Sequence, residues 1–98
     1  MERLAIGAEA QQFVGLTARV GQLFFAAGTV LPETSHTEDE VSFIHSGVLK
    51  ARSGGQDCLL VAGDVSFIPA GEVHSAEVLE DLTLSYVLIG RRAPAGPE

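Results

Sequence analysis

Period-two alternation, cut short by turn residues, is the feature of this sequence that most narrows its fold. In the run from Glu40 to Ser46, Glu40, Ser42, Ile44 and Ser46 share one side while Val41, Phe43 and His45 share the other. From Leu82 to Ile89, Leu82, Leu84, Tyr86 and Leu88 likewise line up together. Successive side chains of a strand point to opposite faces, so such runs read as strands with one face turned inward. Between them stand Ser53-Gly54-Gly55-Gln56, Gly63-Asp64, Pro69-Ala70-Gly71 and Glu80-Asp81. Glycine tolerates positive φ and proline lacks a donor, so these clusters read as turns, the Gly-Gly pair as a two-residue hairpin. No long run has helical period.

Taken in order, the chain predicts a first strand around Arg3–Ile6, then strands over Phe13–Val20 and Gln22–Ala27, broken at Gly21. Gly28 to Pro32 reads as a loop, and Glu33–Asp39 continues that loop or forms an irregular strand. Strands follow at Glu40–Ser46, Val48–Arg52, Cys58–Val61, Val65–Ile68, Val73–Leu79 and Leu82–Ile89. The last residues, 91–98, hold Pro94, Gly96 and Pro97 and read as a frayed tail. Eight to ten short strands at this spacing predict an all-β sandwich, jelly roll or small barrel. With 98 residues there is room for one domain, residues 1–98, whose thin stability margin self-association would help.

Thirteen acids against six bases disfavour a phosphate backbone or an anionic lipid surface as partner, so neither nucleic acid nor membrane is expected. Most of these charges serve solubility. The exception is the packed group Glu33, Glu38, Asp39 and Glu40, whose local potential would attract a cation. Cys58, the one cysteine, permits no internal disulfide and sits in the apolar run CLLV, which predicts a buried structural thiol. The start MERLAIGAEAQQ lacks a basic region followed by an apolar core, and the longest uncharged run, Val20 to Pro32, is too short to span a bilayer. The expected location is cytoplasmic.

Three residues carry the chemistry: His36, Glu40 and His74. Two imidazoles and a carboxylate suit zinc or a first-row transition metal and leave coordination positions open. His36, Glu38 and Glu40 share a face if the strand is regular between them, whereas His74 lies on a separate strand that must come alongside. The residues stand in a larger pattern. Gly28, five residues, Thr34-Ser35-His36, three residues, Glu40, six residues and Gly47 form one segment. Gly63, five residues, Pro69-Ala70-Gly71, two residues, His74, three residues and Val78 form another, fifteen residues on.

This pattern resembles the two motifs of a small single-domain cupin. The resemblance implies a jelly-roll β-barrel with an internal pocket, and by position it assigns His36, Glu40 and His74 to a divalent ion of Fe, Mn, Zn, Ni or Cu. Two positions depart from it. Thr34 stands where the family has its first histidine and Val78 where it has an asparagine. A threonine hydroxyl is a poor neutral ligand, so either a water fills that position, Glu38 swings in, or metal binds weakly or not at all.

The remaining candidates have plainer readings. His45 lies on the opposite strand face and is expected outside; Tyr86 lines the pocket or packs with a partner for its hydroxyl. Phe24, Phe25, Phe43 and Phe67 are expected in the core or a subunit interface, and Lys50 and Arg52 as solvated strand charges. No phosphate loop, dinucleotide fingerprint, paired CxxC or nucleophile elbow is present. The leading expectation is a metal-dependent enzyme acting on a small polar metabolite, of dioxygenase, isomerase, cyclase or lyase type. The alternatives are a metal-free acid–base enzyme using His36 and His74, and a non-catalytic ligand-binding or assembly module. A homodimer through an outer sheet face or edge strands is expected, because open edges must be covered.

Overall fold

The computed structural model describes residues 3–13 and 16–91, so the expected tail at 91–98 lies almost wholly outside the described residues. The strands are β1 (Glu9–Phe13), β2 (Leu16–Phe25), β3 (Val30–Thr34), β4 (Asp39–Ser53), β5 (Gln56–Val61), β6 (Val65–Ile68) and β7 (His74–Arg91). They form one sheet in the order β1-β2-β7-β4-β5, with β3 on β7 and β6 on β4, and every pairing is antiparallel. Among the described residues no helix is long and apolar enough to cross a membrane.

The frame of this jelly roll is the pairing of β4 with β7, which runs from Asp39↔Ile89 to Ser53↔His74. Each long strand changes its other neighbour halfway. β7 takes β3 beside Glu77 and β2 beside Leu82–Arg91, while β4 takes β6 beside Glu40–Phe43 and β5 beside Val48–Ser53. Where the neighbours change, the β4–β7 register shifts at Ile44, Ser46 and Val48. Bulges of this kind bend a strand and sharpen its twist. Gly47 sits among them at φ 93°, and a Cβ built on it would stand 2.2 Å from the Asp81 carbonyl oxygen. Two predicted boundaries therefore dissolve. The chain neither stops at Gly47 nor turns at Glu80-Asp81; it bends there and the sheet rolls over.

Other expectations are corrected in the same way. β2 runs unbroken through Gly21, and β3 forms from the stretch read as a loop. The first strand is Glu9–Phe13 and not Arg3–Ile6, because a turn at Ile6-Gly7 precedes it, held by Gly7 N–H donating to the Gln22 carbonyl at 2.6 Å. Cys58 is exposed, since β5 ends the sheet and leaves CLLV uncovered on one side.

The core is small: Ile44, Leu49, Val78, Leu82 and Leu84, with Leu23, Phe25, Leu60, Ala76 and Tyr86 packed around it. Leu82, Leu84 and Tyr86 arrive on one face of β7, as their alternation predicts. Phe25 packs on this core, whereas Phe24, Phe43 and Phe67 keep 51%, 40% and 61% of their surface exposed.

Alanine at Gly47 and at Gly63 separates backbone strain from close approach. Both glycines have φ 93°, but a Cβ at Gly63 meets nothing within 4 Å. Gly63→Ala should lose only the left-handed share, about 1–2 kcal/mol. Gly47→Ala adds the collision with Asp81 and should lose roughly 3 kcal/mol or more. Thermal unfolding followed by circular dichroism should place the Gly47 variant well below the Gly63 one.

Candidate metal centre

His36 lies on the loop between β3 and β4, Glu40 is the second residue of β4, and His74 is the first of β7. Two hydrogen bonds, one backbone–backbone and one to the Asp39 carboxylate, hold these segments together. Gly71 N–H donates to the His36 carbonyl at 2.7 Å, and Ala70 N–H donates to Asp39 Oδ1 at 2.8 Å. The Pro69-Ala70-Gly71 turn is thereby fastened against the histidine loop, just upstream of His74. The distant stretches that sequence reading paired do meet.

One ligand atom from each of His36, Glu40 and His74 can be chosen so that all lie within 4.8 Å of one another. Two atoms bound to one ion at ~2.0–2.2 Å stand at most ~4.4 Å apart, so a small side-chain adjustment gathers the set. The two imidazole rings meet edge to face, their centroids 5.0 Å apart and their planes at 71°. All three residues are partly buried.

Hydrogen bonds fix how the rings present themselves. His36 Nδ1 is 2.8 Å from the Glu38 carbonyl and His74 Nδ1 is 3.0 Å from the Glu72 carbonyl. A carbonyl only accepts, so each Nδ1 carries the proton and each neutral ring offers the lone pair of Nε2. Such outer hydrogen bonds are how ligating histidines are oriented. His36 Nε2 then faces Glu40 Oε1 at 3.3 Å. A lone pair facing a carboxylate is repulsive unless a positive charge lies between them, either a proton or a metal ion. Ser42, a buried polar residue, donates to the other carboxylate oxygen at 3.4 Å.

Glu38 is not free to swing toward this group. Its carboxylate is held by Arg19 in a two-pronged pair, Nε to Oε2 at 2.9 Å and NH2 to Oε1 at 2.5 Å. That hydrogen bond is the chief reason the Arg19 guanidinium lies above its ordinary pKa. Thr34 is exposed, and among the described residues its hydroxyl donates to the Ser35 carbonyl at 3.5 Å. His45 points to the outer face, where its Nε2 meets Ser85 Oγ at 2.6 Å.

Sequence reading missed the role of Gly21. It pairs with Glu9 on β1 and with Tyr86 on β7, so the three form one cross-strand row. A Cβ on Gly21 would lie 2.5 Å from the Tyr86 hydroxyl. Without it, the phenol lies across β2 and donates to Glu9 Oε2 at 2.6 Å. Burial, then the Glu9 hydrogen bond and charge, push the Tyr86 hydroxyl up to about 12. Glycine inside a strand marks such a close approach, and that was the available signal.

Above the core opens a cavity of about 870 Å³. Glu40, Ser42 and His74 line it together with Tyr86, Arg19 and Glu9, while Leu23, Leu49, Leu84 and Leu88 supply apolar wall. This size and mixture suit a small-molecule pocket.

The comparisons with known proteins bear on this geometry. A family profile described as a cupin domain matches residues 22–90. Among solved structures, KdgF from a Halomonas species aligns with a TM-score of 0.70 at 22% identity, over 85% of this chain and 89% of that one. An RmlC-like cupin from Shewanella frigidimarina aligns with a TM-score of 0.70 at 20% identity, over 94% of both chains. A Thermotoga maritima protein described as a predicted oxalate decarboxylase aligns with a TM-score of 0.62 at 28% identity, over 76% of this chain and 64% of that one. No curated protein gives a significant match.

With one tyrosine and no tryptophan, the chain reports Tyr86 ionisation directly in ultraviolet absorbance. The midpoint should lie near 12 and fall toward the ordinary value of 10 in Glu9→Gln. Because the folded state holds this proton more tightly, the associated stability is intact below pH 10 and is lost as pH rises toward 12. A midpoint unchanged by Glu9→Gln would contradict the Glu9 hydrogen bond.

Proposed function

We propose, from the premise that this chain belongs to the cupin domain family, that it binds a divalent metal ion at His36, Glu40 and His74 and acts on a small polar metabolite. The observation that carries this reading is the convergence of the three ligand atoms within 4.8 Å, with both Nδ1 atoms committed to carbonyls. Fe, Mn, Zn, Ni and Cu all accept two imidazoles and a carboxylate. A bound cation would supply Lewis-acid or redox activation of an oxygen on the substrate or of dioxygen. The protein's own residues do the rest. Glu72 and Glu38 carbonyls orient the rings, Ser42 steadies Glu40, and the leucines of the cavity supply apolar wall for a carbon skeleton.

The electrostatics of the cavity support a cation. Glu9, Glu40, Asp57 and Glu72 line it against Arg19 and Arg52, so its wall is net negative. Dioxygenase, isomerase, cyclase or lyase chemistry on an oxygen-bearing metabolite fits this arrangement. The decarboxylase description of the Thermotoga maritima relative supports a small oxygen-rich substrate.

A metal-free reading draws on the 3.3 Å contact of His36 with Glu40, which a shared proton would also satisfy and which would make the pair an acid–base device. A non-catalytic ligand-binding module draws on Thr34 in place of a ligand histidine. Protein purified without chelator should carry metal near one equivalent per chain, and His74→Ala should lower metal affinity at least tenfold. A metal content near zero, unchanged by His74→Ala, would overturn the metal reading. Activity that survives chelation would favour the acid–base pair.

The same reading includes a homodimer. The outer face of β2, β7, β4 and β6 carries the cross-strand row Val20–Val87–Val41–Phe67, with Phe43 opposite Val65 beside it. Phe43, Val65 and Phe67 are 40%, 59% and 61% exposed, more than scattered surface apolar residues require. Light scattering after gel filtration should give twice the chain mass, and Phe43→Lys with Phe67→Lys should give the monomer.

A further inference from the structure

We propose that the cavity has a second recognition element, a row of uncharged polar side chains crossing four strands beside His74, which binds the hydroxyl or carbonyl groups of a neutral, oxygen-rich ligand. The proposal deepens the reading above and rests on it for the position of the cation. Thr34 on β3 is paired with His74 on β7; His74 is paired with Ser53 on β4; and Ser53 is paired with Gln56 on β5. All four line the cavity. Residues opposite one another across antiparallel strands have Cβ atoms about 4.5–5.5 Å apart, so hydroxyls flank the imidazole on both sides.

Ser53 is the telling member. Its Oγ is buried and has no hydrogen-bond partner among the described residues. A buried hydroxyl without a partner is unfavourable, and because Ser53 is a residue of the cavity wall, rotation about its Cα–Cβ bond would turn the closed-off hydroxyl toward a bound ligand. Thr34, whose departure from the family pattern weakens the metal set, gains a role here as the hydroxyl on the other side of His74. Beneath the row, Ala51 pairs with Ala76, and both line the cavity. Their small side chains leave space for a carbon skeleton of a few atoms under the polar edge.

Among the described residues, this wall offers an anionic group no unpaired guanidinium. Arg52 is tied to Asp57 at 2.9 Å and Arg19 to Glu38, so neither guanidinium is free to pair with an anionic group. The row therefore selects by hydrogen bonding. A molecule with one oxygen at the His36–Glu40–His74 group and another a few ångströms away meets both elements at once.

Amide chemical shifts measured during titration with erythritol, a neutral polyol, test the row. One-hydroxyl 1-butanol serves as the control, and both the metal-free and the zinc-loaded protein are titrated. Erythritol should shift the amides of Thr34, Ser53, Gln56 and His74 in the metal-free protein, and zinc should tighten its binding. Ser53→Ala and Gln56→Ala, which remove side-chain atoms without adding bulk, should each weaken erythritol about fivefold, as loss of one hydrogen bond implies. Binding of 1-butanol should not change. The proposal is overturned if erythritol binds no better than 1-butanol, or if both variants bind it as the wild type does. If calorimetry shows that zinc alone does not bind the wild type, the metal reading falls by itself, and the metal-free titration still decides the row.

Discussion

The structure depends on the bend that β4 and β7 share at Gly47 and Asp81. Glu40 pairs with Leu88 near one end of this two-strand frame, and His74 pairs with Ser53 at the other. On flat strands, at about 3.3 Å per residue, the interval from Glu40 to Ser53 would hold the two side chains roughly 40 Å apart. Their ligand atoms lie within 4.8 Å. Rolling the frame over on itself closes that distance, and the roll needs bulges, a left-handed residue and a backbone approach that no Cβ allows. Gly47 lies outside the gathered group, yet the convergence of His36, Glu40 and His74 depends on the bend it permits.

Once the ends meet, polarity at the meeting point follows from backbone geometry. The carbonyls of Glu38 and Glu72 each claim an Nδ1 proton, so two Nε2 lone pairs and a carboxylate are turned toward one another. An arrangement of three electron-rich groups is stable only around a positive charge. The fourth position of the family pattern is filled by a threonine and the nearest spare acid, Glu38, is pinned by Arg19. Among the described residues, the group whose ligand atoms gather is His36, Glu40 and His74.

Much of this was legible in the sequence, and the parts that were not share a cause. The spacing of His36, Glu40 and His74 with their glycines marked three residues that do converge, because motif spacing encodes which residues a fixed strand geometry brings together. Alternation gave the inward faces of Leu82–Leu88 and of Glu40, Ser42 and Ile44 correctly, but Ser46, read onto the same face, is exposed beside Thr83 because the bulge after Ile44 flips it outward. Gly21, Gly47 and Glu80-Asp81 were misread as interruptions, although each lies within a continuous strand. Local signals mark where the backbone departs from an ideal strand; whether it turns back or bends onward is decided by a partner strand far away in sequence. The same holds for Cys58. Apolar neighbours predict burial, but exposure follows from β5 being the last strand of the sheet.

A barrel this small meets competing demands on its interior. Leu49 and Leu84 belong both to the packed core and to the cavity wall, so every side chain that widens the pocket is withdrawn from the few that hold the fold. Compensation comes from the strands at the margins. Tyr86 reaches over Gly21 to Glu9, and Arg19 spans Glu38 with a distant second contact to Glu9, linking β1, β2, β7 and the histidine loop along one side of the cavity. These contacts are polar because they border the pocket, where apolar side chains would fill the space a ligand needs. The ties that hold β1 to the barrel thus also form part of the wall any ligand would meet. A substitution there should move stability and recognition together, whereas one among Leu82 and Val78 should move stability alone.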